Sequence, residues 1–165
     1  MSIPNSPEYQ VEQSVASLFS AVTGVNIYTS TRTGAKLFPY IAIYAQPTRQ
    51  LITPYSGVFQ MEVSVDYSDS SAKISSSDFD NTYLDAFAFL YGTGNTLAFE
   101  IQDNSTDIRV YMARISSQSP TIQIAKRAWK RGLVISAIVT PDPTGGGQAS
   151  LDFSEFLNSQ YLAVI

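Results

Sequence analysis

Five carboxylates crowd the middle of the chain: Glu62, Asp66, Asp69, Asp78 and Asp80. Oxygen donors of this kind suit Mg²⁺ or Ca²⁺, but their spacing matches no calcium loop. Glu62 and Asp66 share a strand face four positions apart, ~13 Å by strand rise, too far for a tight acid–base pair on one strand. The plainer reading is a solvated strand face, followed by a helix start rich in Asp, where the helix dipole favours negative charge. Lys126, Arg127, Lys130 and Arg131 place four of the ten basic residues within six positions, around Trp129. A phosphate contact with indole stacking, charge pairing with a protein partner and simple solvation all fit that cluster. We take Lys126, Arg127, Trp129, Lys130 and Arg131 as a candidate partner interface.

The residue types that are missing exclude more. The chain contains neither Cys nor His. No disulfide, thiolate nucleophile, Cys-based zinc site or Ser-His or Cys-His pair can be built. The glycines at 92 and 94 and at 145–147 make no phosphate-binding fingerprint, and no nucleophile elbow occurs. A net charge of −4 argues against a broad nucleic-acid-binding face. We assign no catalytic, cofactor-binding or metal-ligating residue and expect neither an enzyme nor a cofactor. No apolar run reaches the ~20 residues of a membrane span, and the N-terminus lacks the pattern of a signal peptide. We expect a soluble protein that stays in the compartment where it is made.

The elements that must position these residues follow from periodicity. From Gly57 to Tyr67, Phe59, Met61, Val63, Val65 and Tyr67 alternate with Gln60, Glu62, Ser64 and Asp66. That is a strand with one buried and one wet face. Ser6-Pro7 opens a helix with the stripe Val11, Val15, Leu18, Phe19 and Val22, stopped at Gly24. A second helix, capped by Ser77 or Asp78, carries Phe79, Tyr83, Ala86, Phe87 and Leu90 and ends at Gly92. Val25–Thr29, Leu37–Ala45, Leu97–Gln102 and Asp107–Ile115 read as strands, with Pro39 implying an edge, a bulge or a late start of pairing. Gln46–Ser56, punctuated by Pro47 and Pro54, reads as a link long for a hairpin, an arm or contact loop, and Ser68–Ser77 as a polar loop. Leu133–Val139, apolar on both parities apart from Ser136, predicts a central strand covered on both faces. The fold class is α+β: a mostly antiparallel or mixed β-sheet with two helices packed on one face, plus a C-terminal arm.

Residues 1–140 form a single domain. Residues 141–165 begin with the hinge-like linker Pro141 to Gly147 and continue into an arm bearing Leu151, Phe153, Phe156, Leu157, Tyr161 and Leu162. We expect the arm to dock on its own domain or on a neighbour. Charged residues make up 15% of the chain, below the usual ~25%. With ten Tyr, so light a charge suits a surface partly covered by other subunits.

In this order, from the first helix through Phe38-Pro39-Tyr40-Ile41-Ala42-Ile43-Tyr44, the alternating strand, Tyr83-Leu84-Asp85-Ala86-Phe87 and the late strand Lys130-Arg131-Gly132-Leu133-Val134-Ile135, the chain resembles the tail terminator (tail-completion) proteins of long-tailed bacteriophages. The resemblance covers roughly residues 8 to 140. It implies a structural virion protein, a homo-oligomeric ring, usually a hexamer. The ring ends the tail tube and offers its upper surface to the head connector or head-completion protein. DNA passes through the lumen without sequence-specific binding, and no membrane is involved. Localisation would be the tail or neck of the virion, after synthesis in the host cytoplasm. The strand face Gln60, Glu62, Ser64 and Asp66 would then look into the lumen or at the next subunit. Alternatives are another neck or tail component (a head–tail joining or tube protein), a small α+β ligand-binding module, and an enzyme using carboxylates and a bound metal.

Overall fold

Side chains two apart along strands and three to four apart along helices meet in one apolar layer. The computed structural model describes residues 7–30, 34–50, 58–92, 96–105, 108–124 and 127–141. Within them run α1 (Pro7–Leu18), a 3₁₀ turn (Phe19–Ala21), β1 (Asn26–Thr29), β2 (Tyr40–Gln50), β3 (Phe59–Ser70), α2 (Ser76–Gly92), α3 (Leu97–Asp103), β4 (Ile108–Gln118), β5 (Ile122–Ile124) and β6 (Ala128–Pro141). The strands form one six-stranded sheet in the order β1-β2-β3-β6-β4, with β5 also paired to β6. β1 and β2 are parallel and the other pairs antiparallel. The fold is α+β with a mixed, mainly antiparallel sheet.

The core lies between one face of the sheet and the helices. Met61, Val63, Val65 and Tyr67 of β3 are fully buried there, beside Ile41 and Ile43 of β2 and Leu133, Ile135 and Ala137 of β6. α1 contributes Val11, Val15 and, through the turn that follows it, Phe19; α2 contributes Phe79, Tyr83, Ala86, Phe87 and Leu90. Aromatic rings knit the layers. Phe19 lies 5.1 Å from both Phe87 and Phe89, Tyr67 lies 5.0 Å from Phe79, and Tyr83 stacks on Phe87 at 4.3 Å.

The structure corrects several expectations. Leu97–Gln102 is helical, giving three helices instead of two. Read as a strand, Leu97, Phe99 and Ile101 would share a face; instead Phe99 is 53% exposed while Leu97, Ile101 and Gln102 are buried, the spacing of a helix. β2 continues to Gln50 across an irregularity between Pro47 and Arg49. Pro47 is tolerated because β1 has already ended, so its missing N–H faces no ladder partner on that side. β3 runs to Ser70, drawn on by pairing with Ala128 at the start of β6. α2 is capped by Ser75, whose Oγ accepts from Asp78 N–H at 3.2 Å, not by Ser77 or Asp78. Pro39 marks a late start, since pairing of β2 begins at Tyr40.

β6 lies between β3 and β4, as its sequence implied, but among the described residues helices cover only one of its faces. Val134 and Ile138 lie half-buried on the other. At Gly132, a side chain would meet the Asp66 carboxylate and would sit 2.6 Å from the Val65 carbonyl, so only glycine permits this strand spacing. Ser119 takes up the free backbone of Gly132: its N–H donates to the Gly132 carbonyl and its Oγ accepts from Gly132 N–H, both at 2.9 Å.

Candidate functional site

Strand pleat and register define the uncovered face. Gln60, Glu62, Ser64 and Asp66 point away from the helices, as their parity predicts. Glu62 is flanked by Gln46 of β2 and Ser136 of β6, and Ser136 by Arg114 of β4. Ser64 lies between Tyr44 and Val134, and Asp66 between Ala42 and Gly132. The face is therefore mixed in charge, not simply acidic. Lys130 Nζ reaches Asp66 Oδ2 at 3.6 Å. Both side chains are partly solvated, so the pair contributes little to stability. Its effect is to neutralise that end of the face.

The β1–β2 side of this face is aromatic. Tyr28 is in register with Ala42, so it shares the open side with Tyr40 and Tyr44. Tyr40 lies 5.9 Å from Tyr28 and stacks on Phe38 at 5.6 Å. Tyr44 is 53% and Leu37 67% exposed. The segment bearing Leu37 and Phe38 is held by its backbone. Asn26 Nδ2 donates to the Leu37 carbonyl at 3.1 Å, and Leu37 N–H donates to Tyr28 Oη at 3.3 Å. Toward the other edge, Met112 is exposed in register with Ile138. Tyrosines and apolar side chains interleaved with a few charges form the surface composition of protein interfaces.

The basic cluster does not form one surface. Alternation along β6 sends Trp129 and Arg131 to the helix side and Lys130 to the open face. Arg131 Nη1 pairs with Asp80 Oδ1 at 3.2 Å, and the guanidinium lies 4.5 Å from the Tyr83 ring centroid. Thr121 Oγ1 donates to the same Asp80 oxygen. The indole N–H of Trp129 donates to the Ile74 carbonyl at 3.0 Å. Arg127 occupies a left-handed turn position, φ 58°, and is exposed; Lys126 lies outside the described residues. The arm residues Leu151, Phe153, Phe156, Leu157, Tyr161 and Leu162 also lie outside them. The carboxylates scatter, and among the described residues no three acidic side chains gather as a metal site.

Two buried side chains close the sheet edges in places the sequence reading missed. Glu12 of α1 is 1% exposed. Its Oε1 accepts from Ala45 N–H at 2.9 Å, just beyond the point where β1 stops covering β2, and its Oε2 accepts from Ser30 Oγ at 2.6 Å. Gln102 of α3, 3% exposed, accepts from Val110 N–H at 2.7 Å on the outer edge of β4. Each stands in for a missing strand. The signal was present for Glu12, which falls three and seven positions before Val15 and Phe19 on the apolar stripe.

Among the core phenols, burial pushes Tyr67 up to about 12, with Asp69 adding to the shift. Among the described residues, Tyr67 Oη and Arg131 Nε are buried without a hydrogen bond of ordinary geometry, and Asp69 is the polar group that acts on the Tyr67 hydroxyl. Burial also raises Tyr83. Tyr91 lies 3.0 Å from Tyr83 Oη and donates its own proton to Gln118 Oε1 at 3.1 Å, so Tyr83 is the donor to Tyr91. These groups stabilise the junction of α2 with the sheet; no nucleophile or acid–base pair emerges from them. No protein-family model matches the chain, and no curated protein matches it at a significant level.

Proposed function

We propose that this chain is a structural assembly protein that closes into a homo-oligomeric ring through its sheet, as the tail terminator of a long-tailed bacteriophage. One observation carries the assembly reading. The sheet has a helix-covered face and a face that no described residue outside the sheet covers, which bears Tyr40, Tyr44, Met112, Val134 and Ile138 among its polar residues. Apolar groups on an otherwise polar open face mark a contact surface. The specific role rests on the order of elements and on the resemblance it carries. In that role the ring, a hexamer, caps the tail tube and meets the head connector, and DNA crosses the lumen without being read.

The edges supply a route to closure. Where Glu12 and Gln102 do not occupy them, the outer side of β4 and the side of β2 away from β3 beyond Ile43 have no strand partner among the described residues. Pairing one edge with the other on the next copy is a heterologous contact, which generates a ring when the rotation closes.

Sedimentation velocity and negative-stain imaging of the full chain, alone and with tail tube, test this proposal. A closed ring that stacks on tube ends supports it. A chain that stays monomeric at high concentration and in the presence of tube contradicts it. A ring that binds a head connector but never a tube would shift the role to head–tail joining.

A further inference from the structure

A strand at the edge of a sheet is a template for another chain, because its outward N–H and C=O groups lie unpaired. Both edges of this sheet are blunted. β1 has four residues and leaves β2 uncovered beyond Ile43. The first outward N–H past that point, at Ala45, donates to Glu12 Oε1 of α1 at 2.9 Å. Backbone N–H groups alternate sides along a strand, so the next outward position is Pro47, which has no N–H to offer. At the opposite edge, Val110 N–H of β4 donates to Gln102 Oε1 of α3 at 2.7 Å. β4 also shifts register against β6 between Val110 and Met112 and again between Ile115 and Ser117. Bulges of this kind bend and twist an edge away from straight pairing.

The two side chains are alike in cost and in placement. Glu12 is 1% and Gln102 3% exposed, so each gives up hydration that an apolar residue would not have to lose. An apolar side chain at either position would also pack its helix on the sheet. What the polar oxygen adds is occupation of the one N–H that an incoming strand would need. Each contact is tied in turn to the chain beside it. Ser30 Oγ donates to Glu12 Oε2 at 2.6 Å, and the buried Ser105 donates its hydroxyl to the Gln102 carbonyl at 2.8 Å.

We propose that Glu12 and Gln102 are latches that control strand addition between copies of this chain. While they are closed, α1 and α3 lie over the β2 and β4 edges and the Ala45 and Val110 donors are filled. Opening either latch frees a donor and loosens the helix above it, and that edge then takes the edge strand of a second copy. A second copy is the fitting occupant because every copy carries both edges. Joining unlike edges repeats from copy to copy, so growth without latches is open-ended. The inference holds whether or not the wild type closes into a ring, because it concerns association beyond the wild-type mass.

The test uses the full chain with Glu12→Leu and, separately, Gln102→Leu, which keep bulk and remove the acceptor. Glu12→Gln keeps an acceptor for Ala45. Leu90→Ala truncates a buried side chain of α2 and lowers stability without touching either edge. Sedimentation velocity over a concentration series gives the mass, and hydrogen exchange reads the Ala45 and Val110 amides. Each Leu variant should associate beyond the wild-type mass at concentrations roughly tenfold lower, the worth of one recovered hydrogen bond, with the freed amide protected in the associated species. Glu12→Gln and Leu90→Ala should keep the wild-type mass. Wild-type mass in either Leu variant, equal association of Glu12→Gln or Leu90→Ala, or an associated species whose freed amide exchanges rapidly would each overturn the proposal.

Discussion

Glu12 offers the sharpest perturbation of the fold. Its carboxylate is buried and joins α1 to the sheet where β2 loses its neighbour β1. In Glu12→Ala the buried Ala45 N–H loses its acceptor at 2.9 Å, and Ser30 loses a partner at 2.6 Å. An unsatisfied buried amide costs about 1–3 kcal/mol and a lost hydroxyl bond about 1 more. We expect Glu12→Ala to lower unfolding free energy by about 2–4 kcal/mol, a large share of the ~5–15 kcal/mol typical of a domain. Glu12→Gln keeps Oε1 as an acceptor and should cost only about 1 kcal/mol, since the Ser30 hydroxyl can rotate to accept from the new amide. Guanidinium denaturation at neutral pH gives the free energies, and hydrogen exchange at the Ala45 amide localises the effect. If Glu12→Ala costs less than about 0.5 kcal/mol, or if the Ala45 amide exchanges no faster, the carboxylate is not standing in for a strand.

Other variants separate packing from surface charge. Gly132→Ala forces a methyl to 2.6 Å from the Val65 carbonyl and should cost at least about 1–3 kcal/mol in the same denaturation assay. Arg131→Ala removes the Asp80 ion pair and the Tyr83 stacking and should cost about 2–3 kcal/mol, whereas Lys130→Ala, losing only a solvated pair, should cost less than about 1; the reverse order would contradict the facing assigned along β6. Tyr67→Phe deletes a buried hydroxyl that among the described residues makes no well-formed hydrogen bond and interacts only with the Asp69 carboxylate, and should change stability by no more than about 1 kcal/mol. Because burial pushes the Tyr67 phenol up to about 12, wild-type stability should hold below pH 10 and fall between pH 10 and 12, as the unfolded chain ionises first. Denaturation curves across that range should fall less steeply in Tyr67→Phe, with Tyr83 supplying the remaining slope.

What the sequence disclosed and what it hid have physical reasons. The strand Phe59–Tyr67 was legible because one face is buried and the pleat has a period of two. The apolar stripes of α1 and α2 were legible for the matching reason at helical period. Leu97–Ile101 misled because apolar residues at 97, 99 and 101 satisfy a strand pattern over so short a run, and the contact with β4 decided it. The two-sided apolarity of β6 was legible, but not its meaning. Val134 and Ile138 face outward with no helix over them among the described residues, which turns a pattern of burial into one of contact. The basic cluster looked like one patch because sequence neighbours were counted together; the pleat divides it. The edge-closing roles of Glu12 and Gln102 depend on where strands end, which no local pattern records.

The central claim is that the open sheet face is where copies of this chain meet. The most direct measurement is the mass in solution of wild type beside Ser64→Arg and Val134→Lys, which place bulk and charge at the middle of that face without touching the core. The account predicts a closed ring for wild type, and folded monomers of unchanged unfolding free energy for both variants. Rings of unchanged mass in both variants, or a wild type that never associates, would contradict it.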